Sequence, residues 1–454
     1  MQPALYNYDV YPKVFPMNEP TEITVKPLGK HAEFSGICRV SVHRLDSGSS
    51  RQEFSAWNQT IFDLSPDEDG ALRFTYTASA ECEHFIRVFQ GDTSVVQLSV
   101  YALAPDLACR IPLRGDLHMH TFRSDGKEDP AIVCANYRRI GYDFIVITDH
   151  GRYYPSLEAR SAYRDVEMEL NILPGEEVHL PMTNVHIVNA GGTFSVNGLL
   201  PSLANYVDTA GKTEERVLEG YSAPAILSEE EYQRQIREIE KSEVCADCPE
   251  NVDKTSYAVC VWAFQKIREA GGLGIFAHPY WISDMWQIPE AFTRYMMEKH
   301  PFDAFEVLGG ESYYEQNGFQ TALYYDEYRY GRVHPIVGST DSHSSTEHNR
   351  NGAICSTIVF AHENQRTDIL QSIKDKYSVA VDTISKEYRL VGEHRLQKYA
   401  CFLMDNWYPI HDRIAAMDGE LMREYYVGEA DRAELERMSA KSARLFRKYF
   451  RTVK

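Results

Sequence analysis

Short apolar runs that each stop at a histidine or an acid are what most constrains this chain. Ile111–Asp116 leads into His118-Met119-His120, Phe144–Ile147 ends in Thr148-Asp149-His150, and Ile172–Gly175 leads to Glu176-Glu177. Asn184-Val185 leads to His186, Gly274–Ala277 stops at His278-Pro279, and Pro335–Gly338 runs to Asp341-Ser342-His343. A short apolar run bounded by Gly or Pro reads as a strand buried on both faces, as in a parallel sheet covered by helices. Pro130–Arg139 and Tyr257–Glu269 read as helices between such strands, an alternation that predicts crossover connections. In a barrel of this kind the loops at the strands' C-terminal ends converge on one mouth. Side chains spread from residue 118 to residue 343 would meet there.

The residue types that converge are metal ligands. Two imidazoles two apart on an extended segment project to one side, so His118 and His120 can share an ion. Carboxylates among imidazoles offset the charge of closely spaced divalent ions, and one carboxylate can bridge a pair. Mixed N/O ligation without thiolate suits Zn, Mn or Fe and argues against Cu(I) or an iron–sulfur cluster.

His118-Met119-His120 with Asp125 beyond it, Thr148-Asp149-His150, Pro174-Gly175-Glu176-Glu177, His186, Ala277-His278-Pro279 and Asp341-Ser342-His343 together resemble the motifs of the PHP (polymerase and histidinol phosphatase) superfamily. The resemblance covers roughly residues 113–385, about 60% of the chain. It implies a distorted seven-stranded (β/α) barrel with a trinuclear centre, and a complement of two or three divalent ions, Mn, Zn or Fe. One ion would take His118, His120, Glu177 and Asp341, and a second would share Glu177 and take His186 and His278. A third would take Asp125, His150 and His343. All nine positions carry a ligand-type residue. The family pattern Gly-x-Glu picks Glu177, yet Glu176 is adjacent, and alternation along a strand points only one of them into the mouth. Asp149 reads as an orienting neighbour. His179, His300, His334, His348, His362, His394 and His411 fit no motif and read as structural.

The implied activity is metal-dependent hydrolysis of a small phosphorylated metabolite or nucleotide through metal-activated water. Arg123, Arg152 and Arg350, each near a ligand in sequence, are candidates to orient phosphate. Trp281, just after His278, is a candidate to stack on a ring. A 3′–5′ exonuclease on short oligonucleotides and a non-catalytic, metal-stabilised binding module are the competing readings. The first needs a basic groove, and a net charge of -19 disfavours duplex nucleic acid.

At 454 residues the chain exceeds what one core organises. Alternating segments such as Glu22–Val25, Leu72–Tyr76 and Val96–Tyr101, separated by turns such as Ser65–Gly70, predict an antiparallel β-sandwich over residues 1–112. The barrel is expected over 113–390, with an insertion about 195–256 that opens a helix at the capping box Ser228–Glu231. Residues 391–454 read as a helical extension whose end carries Arg444, Arg447, Lys448 and Arg451. No stretch approaches ~20 apolar residues, and nine irregularly spaced cysteines read as reduced thiols, so a cytoplasmic location without membrane contact is expected. Cys245 and Cys248 read as loop residues.

Overall fold

The computed structural model describes residues 4–46, 59–204, 216–282, 284–309, 314–346, 355–383 and 389–451. The chain divides into two compact units: Met1–Ile111 with His394–Ile414 and Arg437–Lys454, and Pro112–Glu393 with Ala415–Glu436. The C-terminal helices are thus divided between the two.

In the first unit, one sheet orders the strands Tyr8–Tyr11, Thr21–Pro27 and Leu72–Tyr76. The other orders Val14–Pro16, Thr93–Leu103, Cys82–Gln90, Cys38–Arg44 and Gln59–Leu64. The period-2 pattern sets the layers: Leu72, Phe74 and Tyr76 are buried while Arg73 and Thr75 are exposed. Ile23, Val25 and Phe74 from one sheet join Val40, Ile86 and Leu98 from the other in a single core. The last described residues close on this unit, with Arg451 N donating to Val14 O at 2.9 Å. The basic tail is engaged here: Lys448 donates to Asp9 at 2.5 Å and Arg451 to Thr21 Oγ1 at 3.0 Å.

His84 sits fully buried in this core, its Nδ1 donating to Cys82 O at 3.0 Å and its Nε2 without a partner. Burial drives its pKa down to about 4, against the hydrogen bond to Cys82 and with help from Arg44. A histidine held neutral in the fold but free to protonate near 6.5 when unfolded stabilises the fold above that pH, and the contribution disappears as pH falls from 6.5 toward 4. About 3 kcal/mol is at stake. Denaturant titrations at pH 7 and pH 4.5 should show a steeper acid loss in the native chain than in His84→Gln.

The second unit is mixed α/β. Its six-stranded sheet orders Asn171–Leu173, Phe144–Val146, Ile111–Asp116, Cys355–Ala361, Ser378–Asp382 and Arg389–Val391. Its five-stranded sheet orders Gly175–Val178, Ile187–Ala190, Leu273–Phe276, Ala304–Leu308 and Ile336–Gly338. Parallel pairing holds among Ile111–Asp116, Phe144–Val146 and Asn171–Leu173, and again among Leu273–Phe276, Ala304–Leu308 and Ile336–Gly338. Not every pair is parallel. Gly175–Val178 runs antiparallel to Ile187–Ala190, because residues 179–186 leave no length for the crossover that a parallel pair requires. Two isolated bridges, Met119 with Ser342 and His150 with Glu177, join the two sheets at the histidine-bearing ends of their strands.

The helices start where the sequence signals them. Asp129 caps Pro130–Arg139 by accepting from Ala131 N, and Ser228 caps Glu229–Lys241 by accepting from Glu231 N. Within the insertion, residues 205–215 lie outside the described residues, as do His348 and Arg350. All nine cysteines are unpaired, and among the described residues Cys245 and Cys248 belong to no group of potential metal ligands. No helix is long and apolar enough to cross a membrane.

Candidate metal centre

The site is built from strand ends held to one another by backbone. His120 N donates to Ser342 O at 2.8 Å and Asp341 N to His118 O at 2.9 Å, which pins the His-x-His segment beside Asp341-Ser342-His343. Buried Asp116 accepts from His118 N and from Thr340 N, both at 3.1 Å, and ties the same two segments from below. Asp341 adopts φ 50°, a left-handed conformation that costs a residue with a Cβ and turns its carboxylate among the imidazoles. Asp149 accepts from Thr121 N and Ser124 N at 3.0 Å each, shaping the loop that carries Asp125.

Glu177 is the hub. Its Oε1 lies 2.7 Å from His186 Nδ1, 3.5 Å from His118 Nε2 and 3.6 Å from His278 Nε2. Its Oε2 lies 2.5 Å from His150 Nδ1, 3.4 Å from His179 Nε2 and 3.7 Å from His120 Nε2. Both oxygens are buried and neither is in hydrogen-bond alignment with any of these nitrogens. His118 Nε2, His186 Nδ1 and His278 Nε2 are likewise buried without a hydrogen-bond partner. Orphaned polar atoms at this density are foreign to a folded interior unless something unseen satisfies them. Burial would raise the Glu177 carboxyl, but the charges of His186, His118 and His150 hold it well below the usual range. Glu176 faces the other way. It accepts from Asn189 Nδ2, Ser195 Oγ and Asn197 Nδ2 at 3.0, 2.7 and 2.9 Å, so strand alternation assigns the hub to Glu177.

Two more carboxylates join the cluster. Asp341 Oδ1 lies 2.8 Å from His120 Nε2 and 3.3 Å from His118 Nε2, and its Oδ2 lies 3.7 Å from His278 Nε2. Asp125 Oδ2 lies 3.4 Å from both His150 Nε2 and His343 Nε2. All nine residues singled out by the motifs therefore meet in one place. Donors each ~2.1 Å from one tetrahedral ion stand ~3.4 Å apart, and most of these separations cluster near that value. The donor set fits divalent ions.

Two further residues belong to the cluster. Glu306, fully buried, lies 3.1 Å from His118 Nδ1 through Oε1 and accepts from His278 N at 3.0 Å through Oε2. The signal was an acid inside the apolar run Phe305-Glu306-Val307-Leu308, bounded by Gly309, where a Cβ would meet the Glu306 side chain. His179, read as structural, has its Nε2 2.9 Å from His150 Nδ1. It follows Glu177 by two on the same extended segment, and period 2 alone puts both on one face.

The remaining candidates divide. The Trp281 ring lies 6.5 Å from the His278 ring, beside the cluster. Arg123 forks onto Glu158 at 2.8 and 2.9 Å, and Arg152 donates to Arg123 O at 2.5 Å, so both guanidiniums are engaged within the protein. Arg350 lies outside the described residues. A groove of about 1260 Å³ lined by Glu158, Arg164 and Arg366 contains none of the clustered ligands.

No family model matches the chain, and no curated protein matches its sequence. Among solved structures, an amidohydrolase from Chromobacterium violaceum with bound sulfate and no metal shares 20% identity, over 51% of this chain and 88% of that one, at a TM-score of 0.29. A putative metal-dependent phosphoesterase from Bifidobacterium adolescentis shares 18%, over 50% and 87%, at a TM-score of 0.30. A two-domain protein from Bacteroides vulgatus that contains a predicted PHP-like metal-dependent phosphoesterase is 16% identical over 66% of this chain and 71% of that one, at a TM-score of 0.40.

Proposed function

We propose that the chain is a metal-dependent phosphoesterase that hydrolyses a small phosphorylated metabolite or nucleotide. The observation that carries this is the buried Glu177 carboxylate, within 3.7 Å of six imidazole nitrogens. In this reading the two linked sheets form the distorted seven-stranded barrel, and its mouth holds two or three ions of Mn, Zn or Fe. His118, His120, Glu177 and Asp341 hold one; Glu177, His186 and His278 a second; Asp125, His150 and His343 a third. Bound ions would supply Lewis acidity toward a phosphoryl oxygen and a water of lowered pKa.

The chain's own task is to hold and aim these donors. Glu306 accepts from His118 Nδ1–H, which fixes the tautomer and leaves Nε2 as a lone pair facing Glu177 and Asp341. His343 Nδ1 donates to Asp341 O at 2.9 Å, leaving its Nε2 toward Asp125. No side-chain nucleophile is required. The substrate is small, because a net charge of -19 opposes a long phosphate backbone and so weighs against the exonuclease reading. Nine free thiols fit a reducing compartment, and we place the protein in the cytoplasm.

The test is turnover of p-nitrophenyl phosphate, bis-p-nitrophenyl phosphate and a labelled trinucleotide with Mn added, beside His120→Ala and with metal analysis of both proteins. Hydrolysis of a small ester by the native chain, reduced at least about 100-fold in the variant along with bound metal, is expected. A metal-loaded native protein that cleaves none of the three would instead favour a binding module.

A further inference from the structure

Beside the histidine cluster lies a cavity of about 380 Å³, shared by His179 and His186 with Met285, Trp286 and Gln287. The two histidines connect it to the metal centre, since both approach Glu177. The other three residues belong to a tight excursion after His278. Gln287 N donates to Trp281 O at 2.8 Å, and Ile282 bridges to Trp286. Trp286 stands edge-on to Tyr280 at 5.3 Å and to Phe319 at 5.9 Å, which fixes its ring before anything binds. Met285 nevertheless remains 75% exposed and Trp286 38% exposed, a costly presentation of large apolar surface unless a ligand covers it. Gln287 Nε2 donates to Asn184 O at 3.0 Å, while its Oε1 is buried without a donor.

We propose that this cavity seats the flat ring of a nucleoside phosphate, with the base against Trp286 and Met285 and the phosphate toward His186. The proposal rests on the phosphoesterase reading and names its substrate class. An indole and a thioether offer broad apolar surface for a π-face and, beyond one N–H, little hydrogen bonding for a sugar or a short polyol. The volume suits one nucleoside and not a run of nucleotides. The ring therefore selects the substrate, and the histidine cluster acts on its phosphate.

Calorimetry on the Mn-loaded full chain tests this with the methylenephosphonate analogues of adenosine monophosphate and of glycerol phosphate, whose C–P bonds resist hydrolysis. The native protein is expected to bind the adenosine analogue at least about tenfold more tightly, and Trp286→Ala to reduce that preference about tenfold with bound Mn unchanged. Met285→Asp, at an exposed position where folding is not at risk, should reduce it as well. Equal affinity for both analogues in the native protein, or a preference that survives both substitutions, overturns the proposal. Tight, Trp286-dependent binding of the adenosine analogue by a protein that hydrolyses no phosphoester leaves the base site standing and removes the phosphoesterase reading instead.

Discussion

Glu177→Gln should empty the centre: bound metal falls by at least half, and phosphoester turnover by about 10³-fold or more. The substitution keeps the shape and removes only charge and one acceptor, so the loss reads the role of the carboxylate itself. Glu177 is fully buried, and six imidazole nitrogens approach it between 2.5 and 3.7 Å. Its two oxygens reach both halves of the cluster, Oε1 toward His118, His186 and His278 and Oε2 toward His120, His150 and His179. No other acid in the cluster spans so many ligands. An amide in its place would turn an NH₂ group toward nitrogens that must present lone pairs, and could not offset the charge of neighbouring ions. Inductively coupled plasma analysis of both proteins, purified in parallel, checks the metal, and initial rates check the activity. Glu176→Gln is the matched control. That carboxylate takes three side-chain donors and Val196 N on the opposite face of the strand. Its loss should therefore cost about 1–3 kcal/mol of stability and leave the metal content as it is. Full metal in Glu177→Gln would remove the bridging role.

The contrast between neighbouring glutamates shows what could be read from the sequence and what could not. The clustered residues beyond strand ends were legible because each follows an apolar run, and the runs became strands: Ile111–Asp116, Phe144–Val146, Leu273–Phe276 and Ile336–Gly338 are each followed within four residues by one of them. Which of Glu176 and Glu177 faces the histidines depends on strand phase, which composition does not encode but three-dimensional pairing does. Glu306 was hidden for a related reason. It lies within its strand, so the rule of reading strand ends passes over it, although a lone acid among Phe305, Val307 and Leu308 is costly to bury without a partner. His179 matched no motif, yet its two-residue offset from Glu177 already placed it on the ligand face. Arg123 was singled out by proximity in sequence, and its guanidinium is engaged by Glu158 on the helix Tyr154–Ala162. Long flexible side chains settle on the nearest carboxylate in space, and spacing along the chain says little about where that is.

The second large effect lies away from the ligands. Asp418→Ala should destabilise the second unit by about 3–5 kcal/mol, lowering its thermal midpoint by roughly 10 °C. Arg138 and Asp418 are both fully buried, with Arg138 Nε donating to Asp418 Oδ2 at 2.6 Å. Removing the acid leaves a guanidinium in the interior with Tyr142 O at 3.0 Å and Asp143 Oδ1 at 3.2 Å as its remaining hydrogen-bond partners among the described residues. The next residue shows why the pair is so enclosed. A Cβ on Gly419 would stand 2.5 Å from Ala135 O and press on Arg139 N, so the helix Tyr408–Tyr426 passes Pro130–Arg139 at backbone contact. Gly419→Ala should accordingly be destabilising too, by steric separation of the helices rather than by loss of charge. The effect reaches the site, because Pro130–Arg139 braces the loop that bears Asp341 and His343. Tyr137 Oη lies 2.9 Å from Thr340 Oγ1, and Asn136 Nδ2 donates to Ser345 Oγ at 2.8 Å. Weakened metal retention should therefore accompany the lower midpoint in Asp418→Ala and be recovered in part by Arg138→Met/Asp418→Leu, which replaces the buried pair with packed apolar surface. Differential scanning calorimetry of the single and double variants decides the matter. A single variant as stable as the native chain would mean that the charge on Arg138 is already satisfied without Asp418.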